Sequence, residues 1–221
     1  MRLSRYGALE WGTATIASAI IVVLLVVLQW WWVIVPVALA WFVVVCFFRD
    51  PLGRRPESEN PQDFVSPADG TISAVEVLAH HEAVDGPATL IRIFLSVLDV
   101  HINRAPAAVR VMETRYRPGK FLDARLAESA RVNESNLIML ELTDGSDMPL
   151  GVRQVSGAIA RHIVCPLKPG DTLQRAQRFG LIKFGSTTEL ILPYPERTTV
   201  RVSVGAKVTG AVTTLATHSA D

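Results

Sequence analysis

Between Trp11 and Phe48 the chain carries no charged residue, and from Ala14 onward only Thr15, Ser18, Gln29 and Pro36 interrupt a run of apolar and aromatic side chains. Such a run is membrane material. A cleaved signal peptide has an apolar core of only ~7–15 residues and ends in a small-residue cleavage site. This run is more than twice as long and closes on "CFFRDP". Residues 1–48 therefore read as a membrane anchor.

Thirty-five helical residues would measure about 52 Å at ~1.5 Å per residue, well beyond a hydrocarbon core of ~30 Å. The middle, "QWWWVIVP", combines Gln29, three consecutive Trp and Pro36, which suits a membrane interface and a helix break. The expectation is a helical hairpin with arms of about 15–16 residues, at or below the ~17-residue limit for a span. The sequence leaves crossing and re-entrant forms both open. Arg2 and Arg5 precede the run, and Arg49, Arg54 and Arg55 follow it. The positive-inside rule puts both ends, and whatever follows, on the cytoplasmic side of the cell membrane.

Removing Arg2, Arg5 and Glu10 leaves 20 of the 22 basic and 20 of the 21 acidic residues for the rest of the chain. That balance gives no argument for nucleic-acid binding. Cys46 lies in the apolar run and Cys165 far away in "HIVCPL". They form neither a disulfide framework nor a zinc site, so no metal is expected and a reducing compartment fits.

Residues 49–63, "RDPLGRRPESENPQD", are polar and Pro-rich and read as a linker into a domain over 64–221. Beyond it, short strand-like runs alternate with the turn segments "DGPA", "RPGK", "TDGSD" and "KPGD". Strands are expected at Thr71–Ala79, Leu90–Ser96, Val109–Tyr116, Asn136–Thr143, Gln154–Ile159, Ile163–Cys165, Leu190–Leu192, Thr199–Val204 and Val208–Val212. The one helical stretch is Phe121–Arg131. The fold class is an all-β or β-rich compact catalytic domain with an N-terminal hydrophobic helical hairpin.

Two Gly-Ser pairs occur. Gly145-Ser146 sits in the turn segment "TDGSDMP", whereas Gly185-Ser186 interrupts strand-like sequence in "RFGLIKFGSTTELILP". Gly before Ser gives a peptide bond free to distort, with a hydroxyl beside the preceding carbonyl. Attack there would turn amide into ester, and elimination would lead through dehydroalanine to a pyruvoyl group. By spacing alone, a β-bulge with an exposed Ser is the better reading. Its company alters the balance. Asp69 sits in the turn of "FVSPADGTI", and His101 sits in "IFLSVLDVHINRAP" with Asp99 two residues earlier on the same strand face. A Ser, a His and an Asp are a nucleophile, base and orienter in principle. The ordinary readings are turn chemistry for Asp69 and a satisfied core ring for His101.

The segments "FFRDP", "SPADG", "DVHINRAP", "YRPGKFLDA" and "GDTLQRAQRFGLIKFGST" appear in that order and together resemble the short prokaryotic form of phosphatidylserine decarboxylase, from about Phe47 to Ala216. The resemblance implies self-cleavage between Gly185 and Ser186 into a β chain (1–185) and an α chain (186–221) that stay together as a heterodimer. It implies a covalent pyruvoyl cofactor made from Ser186, and conversion of phosphatidylserine to phosphatidylethanolamine and carbon dioxide at a membrane. It gives Asp69 and His101 roles in self-cleavage and later proton transfer. Longer members carry a second histidine where this chain has Arg104, so His101 alone is expected to serve both steps, or Asp69 with a water the first. Arg104, Arg115 and Lys120 are the candidate phosphate ligands. A homo-oligomer is compatible with the sequence.

Decarboxylation needs an electron sink, and the usual one, pyridoxal phosphate, requires a Schiff-base lysine and a phosphate cradle. The lysines are only Lys120, Lys168, Lys183 and Lys207, and no Gly-rich phosphate loop is present. A built-in ketone fills the same role. Two alternatives remain: the same chemistry on another serine phospholipid of the archaetidylserine type, or a membrane-tethered β-domain that does not process itself.

Overall fold

The computed structural model describes residues 2–126, 128–158, 162–183 and 185–219. The chain divides into two compact units, Met1–Leu52 and Gly53–Asp221.

The first unit opens with β1 (Arg2–Leu3) and a 3-10 turn, Arg5–Gly7. Helices α1 (Ala8–Val27) and α2 (Trp31–Phe47) follow, and the unit closes with β2 (Arg49–Asp50). Strand β1 pairs antiparallel with β2 and shuts the base of the hairpin. Along its length, Trp41 Nε1 donates to Thr15 Oγ1 at 3.0 Å and ties the helices together. The arms are longer than expected from sequence. With the turn before it, α1 forms a 23-residue helix, Arg5–Val27, long and apolar enough to cross a membrane, and α2 has 17 residues. The break lies at Gln29 alone, since Pro36 sits inside α2. Gln29 adopts φ 57°, while Trp30 N–H donates to Leu25 O and Gln29 N–H to Val26 O. This left-handed helix cap needs no proline, because it satisfies the last carbonyls of α1 by itself.

The second unit is almost entirely strand. In chain order it contains β3 (Asp63–Val65), β4 (Gly70–His81), β5 (Gly86–Leu95), β6 (Ile102–Arg104) and β7 (Val109–Arg117). After a short helix α3 (Ser129–Val132) come β8 (Ser135–Leu142), β9 (Pro149–Val155), β10 (Ile163–Val164), β11 (Thr172–Leu173) and β12 (Arg178–Ile182). The last are β13 (Ser186–Pro193), β14 (Thr198–Val200), β15 (Lys207–Val208) and β16 (Thr214–His218). An eight-stranded sheet runs β11-β7-β8-β9-β13-β5-β4-β15. Three-stranded sheets β10-β12-β6 and β14-β16-β3 complete the unit.

Strand β13 lies inside the large sheet between β9 and β5, and every residue of it is buried. Period-two alternation splits it between two faces. Leu190 and Leu192 join the main core with Ile91, Ile93 and Leu95 of β5. Ile191 points the other way, into a smaller cluster with Ala88, Leu90 and Leu137. On that second face Glu189 is held by Arg92 at 2.8 Å and Arg153 at 3.4 Å, one from each neighbouring strand. A buried carboxylate between two guanidiniums fixes the register of three strands at once, because a one-residue slip would bury an unpaired charge.

Strands β4, β5, β7 and β8 fall close to their expected places. Strand β13 is longer than the expected Leu190–Leu192, because Ser186, Thr187 and Thr188 join the ladder despite low apolarity. The run expected at Gln154–Ile159 is instead β9, which ends at Val155; Ile159 lies outside the described residues. The expected helix Phe121–Arg131 shrinks to α3. Side chains capture the backbone groups that a helix there would need. Asn133 Oδ1 accepts from Leu122 N–H at 2.8 Å, Asn133 Nδ2 donates to Leu122 O at 2.9 Å, and Asp123 Oδ1 accepts from Arg125 N–H at 2.9 Å.

Candidate active site

Ser186 is the first residue of β13, opposite Leu95 of β5. That pairing turns its side chain to the main core face, where it is 0% exposed. Its Oγ has no hydrogen-bond partner among the described residues. A buried hydroxyl left without a partner costs about 1–3 kcal/mol and is uncommon in folded proteins. The main chain of Ser186 serves the ladder, while its hydroxyl is satisfied by no bond of the fold among the described residues.

The bond before Ser186 is shaped by two glycines. Gly185 sits at φ +60°, in the left-handed region that side chains resist. Gly157, two residues beyond the end of β9, faces the Gly185 carbonyl so closely that a Cβ there would lie 2.1 Å from the oxygen. The carbonyl carbon nearest the Ser186 hydroxyl is therefore seated against bare backbone.

His101 lies immediately before β6 and is fully buried. Its Nδ1 lies 2.9 Å from the Asp99 carbonyl oxygen, and Gly185 N–H donates to its Nε2 at 3.1 Å. A carbonyl can only accept and an amide N–H can only donate, so these contacts together assign the neutral ring protonated at Nδ1. The lone pair on Nε2 thus points to Gly185, the residue before Ser186. The expected orienter, the Asp99 carboxylate, is used elsewhere: its Oδ2 accepts from Ser96 N–H at 2.8 Å and Ser96 Oγ at 2.7 Å. Asp99 lies in a turn where strand alternation does not hold, and its main chain orients the ring.

Asp69 is gripped by Arg54. One carboxylate oxygen meets Arg54 Nη1, the other accepts from Arg54 Nη2 at 2.7 Å, and Gly210 N–H adds a third contact at 2.8 Å. The loop bearing Asp69 runs beside β6, since Pro67 O accepts from Arg104 N–H at 2.9 Å. Both Asp69 and His101 thus belong to one neighbourhood of the fold, but the Asp69 carboxylate is directed to Arg54 and Gly210.

Of the three cations singled out in the sequence, Arg104 is 4% exposed and donates from Nη1 to Ala176 O. Arg115 lies on β7 in an ion-pair group with Glu82 and Glu113. Lys120 forms an isolated bridge with Asn133. A cavity of about 360 Å³ opens on Gly185, lined by Phe94, Ser96, Val97, Ala124 and Ala158, with Arg125 and Asp123 as its charged wall. Arg125 Nη2 meets Asp123 Oδ2 at 2.5 Å, and that bond holds the Asp123 carboxyl down at about 2. Arg125 was missed from sequence because a lone arginine in a loop carries no spacing signal. Gly157 was missed because its role is contact with a residue 28 positions away.

The orphaned Ser186 hydroxyl, the left-handed Gly185, the histidine lone pair and the adjoining cavity fit a pyruvoyl group formed in place. Comparison with known proteins finds relatives of one family. The model of the family described as phosphatidylserine decarboxylase matches residues 40–216. The chain is 42% identical over 184 residues to a phosphatidylserine decarboxylase proenzyme of Rhodopirellula baltica, covering 83% of this chain and 75% of that one. Proenzymes of the same name from Desulfotalea psychrophila (43% over 177 residues, 80% of each chain) and Geotalea uraniireducens (45% over 172 residues, 78% of each) are similar.

Proposed function

The chain belongs to the phosphatidylserine decarboxylase family, and from that premise we propose that it is a membrane-associated, pyruvoyl-dependent carboxy-lyase that converts phosphatidylserine to phosphatidylethanolamine and carbon dioxide after cutting itself between Gly185 and Ser186. The observation that carries the proposal is the unpartnered, fully buried Ser186 hydroxyl beside a left-handed glycine whose N–H meets His101.

Self-processing begins when Ser186 Oγ attacks the Gly185 carbonyl carbon. His101 Nε2 exchanges its bond from Gly185 N–H for one from the Ser186 hydroxyl, takes the hydroxyl proton and returns it to the Ser186 nitrogen as the C–N bond breaks, which leaves an ester. Loss of the Ser186 α-proton then expels the Gly185 carboxylate. The resulting dehydroalanine hydrolyses, releases ammonia and leaves a pyruvoyl group at the head of the new chain. The fragments 1–185 and 186–221 stay associated because the second supplies β13, β15 and β16, each paired to a strand of the first.

In turnover the pyruvoyl ketone supplies the electron sink for loss of carbon dioxide. The residues of the chain bind, orient and move protons. His101 holds or relays the proton that returns to the substrate α-carbon. Asp69, paired with Arg54, fixes the loop beside β6. Arg125 in the cavity wall, with Lys120 on the same loop, receives the lipid phosphate. Arg104, bonded to Ala176, and Arg115, paired with Glu82 and Glu113, lie outside the lining of this cavity. The apolar hairpin keeps the enzyme at the bilayer on the cytoplasmic side. A diacyl lipid leaves a membrane reluctantly, at about 0.8 kcal/mol per methylene, so the site must go to the lipid.

Intact-mass measurement tests the proposal directly. The wild-type protein should give two fragments split after residue 185, the smaller beginning with a pyruvoyl group, and Ser186→Ala should give one chain of 24.2 kDa without decarboxylase activity. Ser146→Ala should behave as wild type. An uncut wild-type chain that still turns over lipid would overturn the assignment.

A further inference from the structure

A line of buried polar side chains runs from the strand of the nucleophile into the sheet that carries His101. Asn103 Nδ2 donates to Thr188 Oγ1 at 3.0 Å and lies 3.4 Å from Pro67 O. Asn103 Oδ1 accepts from Gln154 Nε2 at 2.9 Å, and Gln154 Oε1 accepts from Asn136 Nδ2 at 3.2 Å. Thr188, Asn103 and Gln154 are each 0% exposed. No substrate can reach them, and apolar residues such as Ile102 and Leu181 fill neighbouring positions. The orientation of each amide is set by the next, so turning Asn103 over would set donor against donor and acceptor against acceptor.

The spacing of this line matches that of the chemistry. Asn103 is two residues beyond His101, and Thr188 is two residues beyond Ser186. Strands β6 and β13 belong to different sheets, so no backbone ladder joins them. Strand β6 is held within its own sheet by its ladder to β12 and by Arg104 N–H to Pro67 O. Toward β13 it is tied by side chains, His101 to Gly185 and, three residues further along β13, Asn103 to Thr188.

We infer that Asn103, braced by Gln154 and bonded to Thr188, is a positioning residue for self-processing: it fixes where β6 lies along β13 and thereby holds His101 Nε2 at the Gly185–Ser186 bond. The inference rests on the proposed function. Misplacement of a base by about 1 Å can cost a reaction on the order of a hundredfold, so the effect belongs in the rate of cleavage more than in the stability of the fold.

The test follows cleavage of freshly synthesised full-length chain on gels over time, with melting temperatures measured in the uncleavable Ser186→Ala background. Thr188→Val keeps the side-chain shape and deletes the acceptor, and should lengthen the processing half-time roughly tenfold to a hundredfold. Thr188→Ser restores the hydroxyl and should recover most of the rate. Asn103→Ala should be slow like Thr188→Val. A core variant on β7, outside the line of Asn103, Thr188 and Gln154, Val111→Ala, with an equal or larger loss of melting temperature, should process at the wild-type rate. Equal slowing of Val111→Ala, or wild-type rates in Thr188→Val and Asn103→Ala, would overturn the inference while leaving the function standing. Should Asn103→Ala fail to fold, the Thr188→Val and Thr188→Ser pair decides alone. A wild-type chain that stays whole would sink the function and this inference together.

Discussion

His101 Nε2 accepts the amide proton of Gly185 at 3.1 Å while the opposite ring nitrogen is tied to the Asp99 carbonyl. The ring is thereby placed one backbone step from the Gly185 carbonyl, with its tautomer already chosen.

Replacing His101 removes the proposed base together with its bond from Gly185 N–H. His101→Ala should slow self-cleavage by about 10²–10⁴-fold, the range for loss of a positioned general base. The time course of fragment appearance measures this directly. Cleavage at the wild-type rate would exclude His101 from the step.

Gly157→Ala should block cleavage although the residue takes no part in the chemistry. The added Cβ would stand 2.1 Å from the Gly185 oxygen, so the main chain must shift. Overpacking of this kind costs about 1–3 kcal/mol, and here it falls on the scissile bond. Circular dichroism should report an unchanged β fold while intact mass shows a single chain.

Arg54→Ala should destabilise the second unit. The Arg54 and Asp69 side chains are only 12% and 13% exposed, and removing one member of a buried pair costs about 3–5 kcal/mol because the other is left uncompensated. Thermal denaturation in the Ser186→Ala background should show the loss, and Asp69→Asn on top of Arg54→Ala should return part of it. No recovery in the double variant would refute the pairing.

His81 gives a pH dependence. Burial is the largest influence on its ring and pushes its pKa below the usual value, against the pull of Glu189 and Glu82. Its Nδ1 also accepts from Ala83 N–H at 3.0 Å, a bond that a protonated ring cannot make. The unfolded chain therefore binds a proton near pH 6.5 that the folded chain resists. The contribution of the neutral ring is complete above that pH and is lost as pH falls from about 6.5 toward the lower folded value. Denaturant titrations of Ser186→Ala with and without His81→Ala should converge as pH drops through this window. A constant gap between them would contradict the assignment.

Much of this was legible in the sequence because it rests on local rules. An uncharged run of this length has to be lipid-facing or buried, and its polar interruption at Gln29 foretold a hairpin. Period-two runs bounded by turn residues gave β4, β5, β7 and β8. The motifs around Asp69, His101 and Ser186 identified the family. Where local signals misled, a distant partner was responsible: Asn133 captures the backbone of Leu122 and cancels the helix expected over Phe121–Arg131. Strand β13 begins at Ser186 because β5 and β9 offer it a ladder on both sides.

Sequence by itself put forward the candidates for the chemistry, the Gly185-Ser186 pair and His101, together with an apolar segment. Only the tertiary structure decided how they meet. It directed the Asp99 carboxylate to Ser96 and its carbonyl to His101, committed Asp69 to Arg54, set Gly157 against the Gly185 carbonyl and left the Ser186 hydroxyl without a partner among the described residues. Residue type and local period are written along the chain, whereas the contacts between β6, β9 and β13 depend on how separate sheets pack, and packing joins residues dozens of positions apart.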